Sequence, residues 1–340
     1  MNVSLHPRAA VKPEREITEP VDMCLPDGRL NPDAVGWSRH ALHRDNLRGW
    51  GRNKRFDYWC VMAGDFIVTA NISHHDYRAN VASTFIDLRT HEVVPYRVNR
   101  WLPPRQSMPD PTLREPMFGK AEGIEVAITP EPGGTRLQTR TARLQLDAFV
   151  EEPEGHESMG VLVPWSDRTF QYTRKDNCLR TSGTVTVDGR THVIDPNRAL
   201  ALHDVGRGRW PYSTWWNWGA GHGLVGGRMI GVQFGGKWTV DTPSTENCLR
   251  IDGRIHKISE ELVWTYDSAD FMRTWTIRGA RVDLTFTPST HHHHDFNKWV
   301  ISARGDQCFG RFDGHVVADD GEVVAVENLP GMVEEVHRKW

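Results

Sequence analysis

The sequence predicts an all-β, mostly antiparallel protein with few short helices, and three observations carry that prediction. From Phe56 onward the chain breaks into short β-rich runs, among them FDYWCVM, DFIVTANI, NVASTFIDL, IEVAIT, RLQLDAFV, MGVLVPW and RTFQYTR. Asp-Gly recurs between β-forming flanks at Asp188-Gly189, Asp252-Gly253 and Asp320-Gly321. A two-residue type I′ loop needs positive φ at both central residues, which Asp-Gly tolerates, so each dipeptide predicts a hairpin and antiparallel pairing. No strand–helix–strand alternation occurs. That leaves a sandwich or a barrel, and a sheet that closes loses its exposed edges.

In chain order, residues 1–20 lack periodicity and read as an arm. Asn31-Pro32 before Asp33-Ala34-Val35 has the form of a short helical turn, with Asn31 as cap and Pro32 at the first helical position. Loops rich in proline and charge cover 102–117 and 151–158, and residues 195–227 are dense in Gly, Trp and Arg. At 340 residues the chain exceeds the usual size of one core. Two β-barrel-like domains are therefore expected, 21–194 and 195–340.

Composition narrows the function. Hydrophobic residues make up 38% of the chain, with no apolar stretch long enough for a transmembrane helix. The opening MNVSLHPRAAVKPEREITEP places charges and prolines where a secretory signal needs apolar residues, which predicts a cytoplasmic protein. Five scattered cysteines without a CxxC pair speak against a disulfide framework or a thiolate zinc site. A net charge of -3 with mixed signs gives no electrostatic footprint for nucleic acid. No P-loop, dinucleotide fingerprint, nucleophile elbow or HExxH motif is present, so no cofactor is expected. Fourteen Trp beside 12 Phe and 6 Tyr point to an interior that favours large flat side chains.

Two segments carry candidate chemistry. From His203 to Gly223 the chain runs HDVGRGRWPYSTWWNWGAGHG, with Trp210, Tyr212, Trp215, Trp216 and Trp218 in nine residues. Such a cluster needs an interior or a ligand to cover it. Asp204 stands just before it. A buried, neutral carboxyl group can protonate a substrate, and aromatic faces stabilise the resulting cation. Alternatively Asp204 pairs with Arg207 or Arg209 to pin a loop, while the Trp residues fill a core. In the second segment, Gly236 to Asn247, Glu246 and Asn247 can present an acid and an amide beside Trp238, or Thr245 and Asn247 can bond the local backbone. Two histidine runs invite a metal reading. Consecutive residues on a strand point to opposite faces, so His291-His292-His293-His294 reads as an exposed loop and His74-His75-Asp76 as a polar strand end. No metal site is expected.

The series from His203 to Gly219, then GKWTVDTPSTEN and DGRIHKI, together with the opening LPDGRLNPDAVGWSR and the closing FGRFDGH and LPGMVEEVHRKW, resembles the hallmark motifs of the family named domain of unknown function 2804, over about residues 16–340. More distantly the chain is similar to calycin-like proteins that include carotenoid hydratases, tocopherol cyclase and lipocalin-like Diels–Alderases. That likeness implies two lipocalin-like barrels or half-barrels in tandem around an apolar pocket, and only Asp204 and the aromatics after it carry over.

Together these readings predict a cofactor-independent enzyme that protonates a double bond of an isoprenoid- or polyketide-like substrate, with hydration, isomerisation or cyclisation following. Asp204 and Glu246 are the candidate catalytic residues. His203, Arg207, Arg209, Trp210, Tyr212, Trp215, Trp216, Asn217, Trp218, Trp238 and Asn247 are the candidate ligand contacts. A non-catalytic carrier of an apolar small molecule is the alternative.

Overall fold

The computed structural model describes residues 11–101, 106–298 and 300–340. Within them strand predominates and forms two large curled, antiparallel half-barrel sheets and one short parallel pair, Val21–Asp22 with His43–Arg44. Asn31 caps a single-turn 3-10 helix, Pro32–Ala34, by accepting a bond from the Asp33 amide, as its sequence predicts. The chain divides into two compact units, Ile17–Trp210 and Pro211–Trp340, and the second unit also takes residues 11–16. The expected boundary near residue 195 is thereby displaced. Strand Leu200–Arg209 falls before the division because it pairs along its length with Asn53–Met62 and Phe170–Val187.

In the first unit a 14-stranded sheet curls until Phe66–His74 and Arg78–Asp87 face Ile124–Glu131 across one apolar core. Trp59, Val68, Ile72 and Val81 supply one wall, and Ile124, Val126, Leu137 and Leu146 the other. The long strand Phe170–Val187 serves two parts of the sheet. Its register shifts between Asp176 and Leu179, where Cys178 takes φ 66°, so a bulge lets residues before it pair with one neighbour set and residues after it with another.

The second unit is a nine-stranded antiparallel sheet whose core includes Phe234, Trp275, Phe286, Phe312 and Val333. Of the expected arm, residues 1–10 lie outside the described residues. The rest of it is stitched down: Val11 bridges Glu260, and the buried Glu14 carboxylate accepts bonds from Thr245 and from Lys257 Nζ at 2.6 Å.

Two of the three Asp-Gly hairpins are the expected two-residue turns, with φ 47° and 80° at Asp188-Gly189 and 47° and 86° at Asp252-Gly253. The third departs from that geometry. Strands Ile301–Val317 and Val323–Lys339 do pair, but only Gly321 has positive φ, and the loop closes through bonds from Ala318 N to Glu322 O and from Gly321 N to Ala318 O. A longer loop relieves Asp320 of the left-handed conformation.

Two buried histidines make both units acid-sensitive. Burial pushes His43 down to about 4, although its ring bonds to Ala34 O, and pushes His222 down to about 3, aided by Arg250. In the unfolded chain each takes a proton near pH 6.5, so their stabilising contribution is complete above that pH and is lost as pH falls toward 4. Urea denaturation at pH 7 and pH 4.5 is expected to show a loss on the order of 3 kcal/mol from His43 alone. His43→Gln is expected to flatten that pH dependence, and an unchanged slope in the variant would contradict the assignment.

Candidate functional site

Strand Leu200–Arg209 lies between two antiparallel neighbours, and alternation assigns its side chains to two faces. His203, Val205 and Arg207 point to the core side. Opposite them stand Trp59, Asp57 and Arg55 on one neighbour and Asp176, Arg174 and Tyr172 on the other. Asp204, Gly206 and Gly208 take the reverse face, opposite Tyr58, Phe56 and Lys54 and opposite Lys175, Thr173 and Gln171. The glycines of the G-R-G-R motif are required by crowding: a Cβ at Gly206 would collide with the Phe56 ring, and one at Gly208 with Phe170 O and Gln171.

On the core side, His203 Nε2 bonds to Asp57 Oδ1 at 3.0 Å, and the Trp59 indole lies on the imidazole at 3.7 Å and 12° between planes. Asp57 is completely buried. Burial alone pushes its carboxyl up, but His203 beside it, with Arg207 and Arg174, outweighs that and holds it below the usual carboxylate range. Asp57 Oδ2 accepts and Trp59 Nε1 donates no hydrogen bond among the described residues. Both residues, with His203, Arg174, Asp110 and Glu152, line a cavity of about 50 Å³, which suits one or two water molecules. Arg174 pairs with Asp176 at 3.5 Å, and Arg207 with Asp45 at 3.2 Å while bonding to Phe56 O and Pro109 O. The arrangement orients the His203 imidazole beside a small, water-sized cavity.

The sequence-predicted residues separate. Asp204 pairs with neither arginine: Lys175 Nζ lies 2.7 Å from its Oδ2, and Thr173 Oγ1 donates to its Oδ1 at 2.9 Å. The expected Arg207 or Arg209 pairing fails because alternation sends both arginines to the opposite face. Arg209 instead bonds to Asn53, Gly28 O and Arg48 O. Trp210 donates to Gln171 and meets Phe56 edge-on at 6.3 Å.

The remaining aromatics of that segment belong to the second unit, where strand Ser213–Val225 again alternates. Trp216 donates to Glu334 at 2.9 Å and Trp218 to Gln233 at 2.8 Å on one face. Trp215, half-exposed beneath Lys237 Nζ at 3.6 Å, and Asn217, bonded to Tyr266 and Glu334 O, take the other. Tyr212 donates to Val300 O. Trp238 donates to Glu246, and Asn247 bonds Gly235 N and Glu260 O, which is the backbone role rather than a ligand contact.

His74 ends its strand, and the Asp76 carboxylate accepts the Gly51 and Asn53 amides, a polar strand end. His291–His294, expected in a loop, lie instead within strand Val282–Lys298.

Sequence reasoning missed Asp57, Trp59 and Arg174. The signal was present in F-D-Y-W, an acid set among aromatic residues in the middle of a strand. It also missed the stack of Tyr266 on Trp275 at 4.0 Å, with Phe271 beside it, which is the aromatic centre of the second unit.

A family described as a domain of unknown function, DUF2804, matches residues 14–340. The chain belongs to the DUF2804 family. No curated protein matches this DUF2804 chain in sequence. In structure it is similar to kievitone hydratase from Nectria haematococca, at 13% identity and TM-score 0.52, over 97% of this chain and 98% of that one. It is also similar to CghA crystallised with Sch210972, at 11% identity and TM-score 0.53, over 84% and 88%. These likenesses show a shared lipocalin-like fold for this DUF2804 member.

The Asp204–Lys175 pair is expected to be structural. Asp204→Asn takes the carboxylate away from a buried ammonium and should cost roughly 3–5 kcal/mol in equilibrium denaturation. The double change Asp204→Leu with Lys175→Met should recover much of that loss. A single variant within about 0.5 kcal/mol of wild type would refute the pairing's role.

Proposed function

We propose that the protein is an acid–base enzyme of the hydratase type, acting without a cofactor on an unsaturated small molecule with an apolar body. The observation that carries this reading is the buried Asp57–His203 hydrogen bond, capped by Trp59 and facing a water-sized cavity. Asp57 fixes the imidazole through Nε2, and the Trp59 indole lies flat on the ring.

Proton transfer from the ring nitrogen not held by Asp57 forms a C–H bond at one alkene carbon. Water in the cavity then forms a C–O bond at the other carbon and returns its proton to the imidazole. Atoms and charge balance over the cycle, and the net change is addition of one water. The kievitone hydratase likeness over nearly the whole chain supports water addition as the outcome, by analogy of fold.

The reading moves the acid from Asp204 to His203. Asp204 is occupied by Lys175 and Thr173, whereas His203 borders free volume. The cavity beside His203 is about 50 Å³, well under the roughly 300–1,000 Å³ of a typical small-molecule pocket, so it suits water rather than a whole ligand.

Incubation of the untagged protein in H₂¹⁸O with a panel of unsaturated isoprenoid and polyketide-like compounds is expected to give a product heavier by one labelled water. His203→Gln and Asp57→Asn should each lower turnover by about 10²–10⁴-fold while the protein stays folded. Full activity in His203→Gln, or tight stoichiometric retention of a compound with no turnover by wild type, would overturn the reading.

A further inference from the structure

We propose that His291, His293 and Asp306 form a binding site for one divalent transition-metal ion of the kind that prefers imidazole, such as zinc, copper or nickel. This site lies in the second unit and is independent of the Asp57–His203 pair. The tetra-histidine run sits in a strand, so residues two apart share a face, and the alternation that separates neighbours brings His291 and His293 together. Asp306 stands directly opposite His293 on strand Ile301–Val317, which puts three ligand groups on one side of a two-stranded ribbon.

The geometry is close to that of a metal site before metal enters. His291 Nε2 lies 3.1 Å and His293 Nδ1 2.7 Å from the same atom, Asp306 Oδ1, and all three ligand atoms fall within 4.8 Å of one another. Metal–nitrogen and metal–oxygen bonds of about 2.0–2.2 Å place tetrahedral ligands about 3.3 Å apart. Opening the 3.1 Å and 2.7 Å contacts by about 0.2 and 0.6 Å to reach that spacing admits an ion. Without metal, each neutral imidazole can offer its one N–H to Oδ1. With metal, that proton sits on the ring's other nitrogen, and the lone pair left facing Oδ1 binds the ion.

The surroundings fix the ligands. The Asp306 side chain is 3% exposed, and Arg304 Nε bonds its second oxygen at 3.0 Å, which orients Oδ1 toward the imidazoles. The Arg304 charge works against a cation, but that side chain is half-exposed and screened by solvent, whereas Oδ1 touches the ion directly. Phe271 packs against the His291 ring at 5.8 Å and carries the Arg304 guanidinium 5.7 Å above its face. Two nitrogens and one oxygen leave a coordination position for water or another ligand, the pattern of an open site rather than a closed structural one.

The test uses the full chain, untagged, purified without immobilised-metal chromatography and dialysed against chelator. Calorimetric titration with Zn²⁺ is expected to give one equivalent, and Co²⁺ is expected to give visible absorption bands at the same stoichiometry. His293→Gln and Asp306→Asn should each weaken Zn²⁺ binding by at least the roughly 10–100-fold that even an outer partner is worth. His292→Gln, on the opposite face, should leave affinity and spectrum unchanged. Absence of saturable Zn²⁺ and Co²⁺ binding by wild type would overturn the proposal, as would equal binding in His293→Gln or equal losses in His292→Gln and His293→Gln.

Discussion

Side chains on a β-strand alternate between faces, and on Leu200–Arg209 that alternation decides which residues of the H-D-V-G-R-G-R motif can act together. His203 and Arg207 reach the interior, where Asp57, Trp59 and Arg174 meet them, while Asp204 is turned away to Lys175. The two flanking strands fix the register on both sides, so no single side-chain change exchanges the faces. The glycines at 206 and 208 belong to the same arrangement, since the outer face is closed against them by Phe56 and Gln171.

The interior that results is costly to build, because it removes several charges from water. Asp57 and Arg207 are fully buried, His203 and Asp45 nearly so, and Arg174 is partly buried. Their compensation is cooperative. Asp45 takes both Arg55 and Arg207, Asp176 takes Arg174 with His156 nearby, and Asp57 takes His203. In the Asp57–His203–Trp59 group, free volume remains beside unused polar atoms. A water-sized cavity beside the hydrogen-bonded imidazole, rather than the ion pairs around it, is what supports the functional reading.

Much of the fold is legible in the chain because local physics dictates it. The β-rich runs form strands, Asn31-Pro32 caps its turn, and two Asp-Gly pairs take the conformation that only such residues accept cheaply. Asp320-Gly321 shows the limit: the dipeptide marks a hairpin, but the strands pair from Val317 and Val323 outward, which leaves a longer loop between them. The unit boundary lies later than composition suggests because ten residues of Gly-rich strand belong to a sheet whose other members lie far earlier. The site is half legible. His203 and Asp204 stand out together in the sequence, but their separation depends on partners 146 and 29 residues away. Lys175 and Asp57 carry no motif that links them to the segment. The histidine run departs from its expected loop for a related reason, since alternation parts neighbours but unites residues two apart.

The central claim is a buried, hydrogen-bonded Asp57–His203 pair with an oriented imidazole. The most direct measurement is NMR of protein labelled with ¹⁵N at histidine, which reports ring N–H protons held in strong bonds and shielded from exchange. The account predicts a slowly exchanging, strongly downfield ring proton assigned to His203 Nε2 that disappears in Asp57→Asn while the fold remains. A His203 ring with no protected proton, or one whose proton is unchanged in Asp57→Asn, would contradict it.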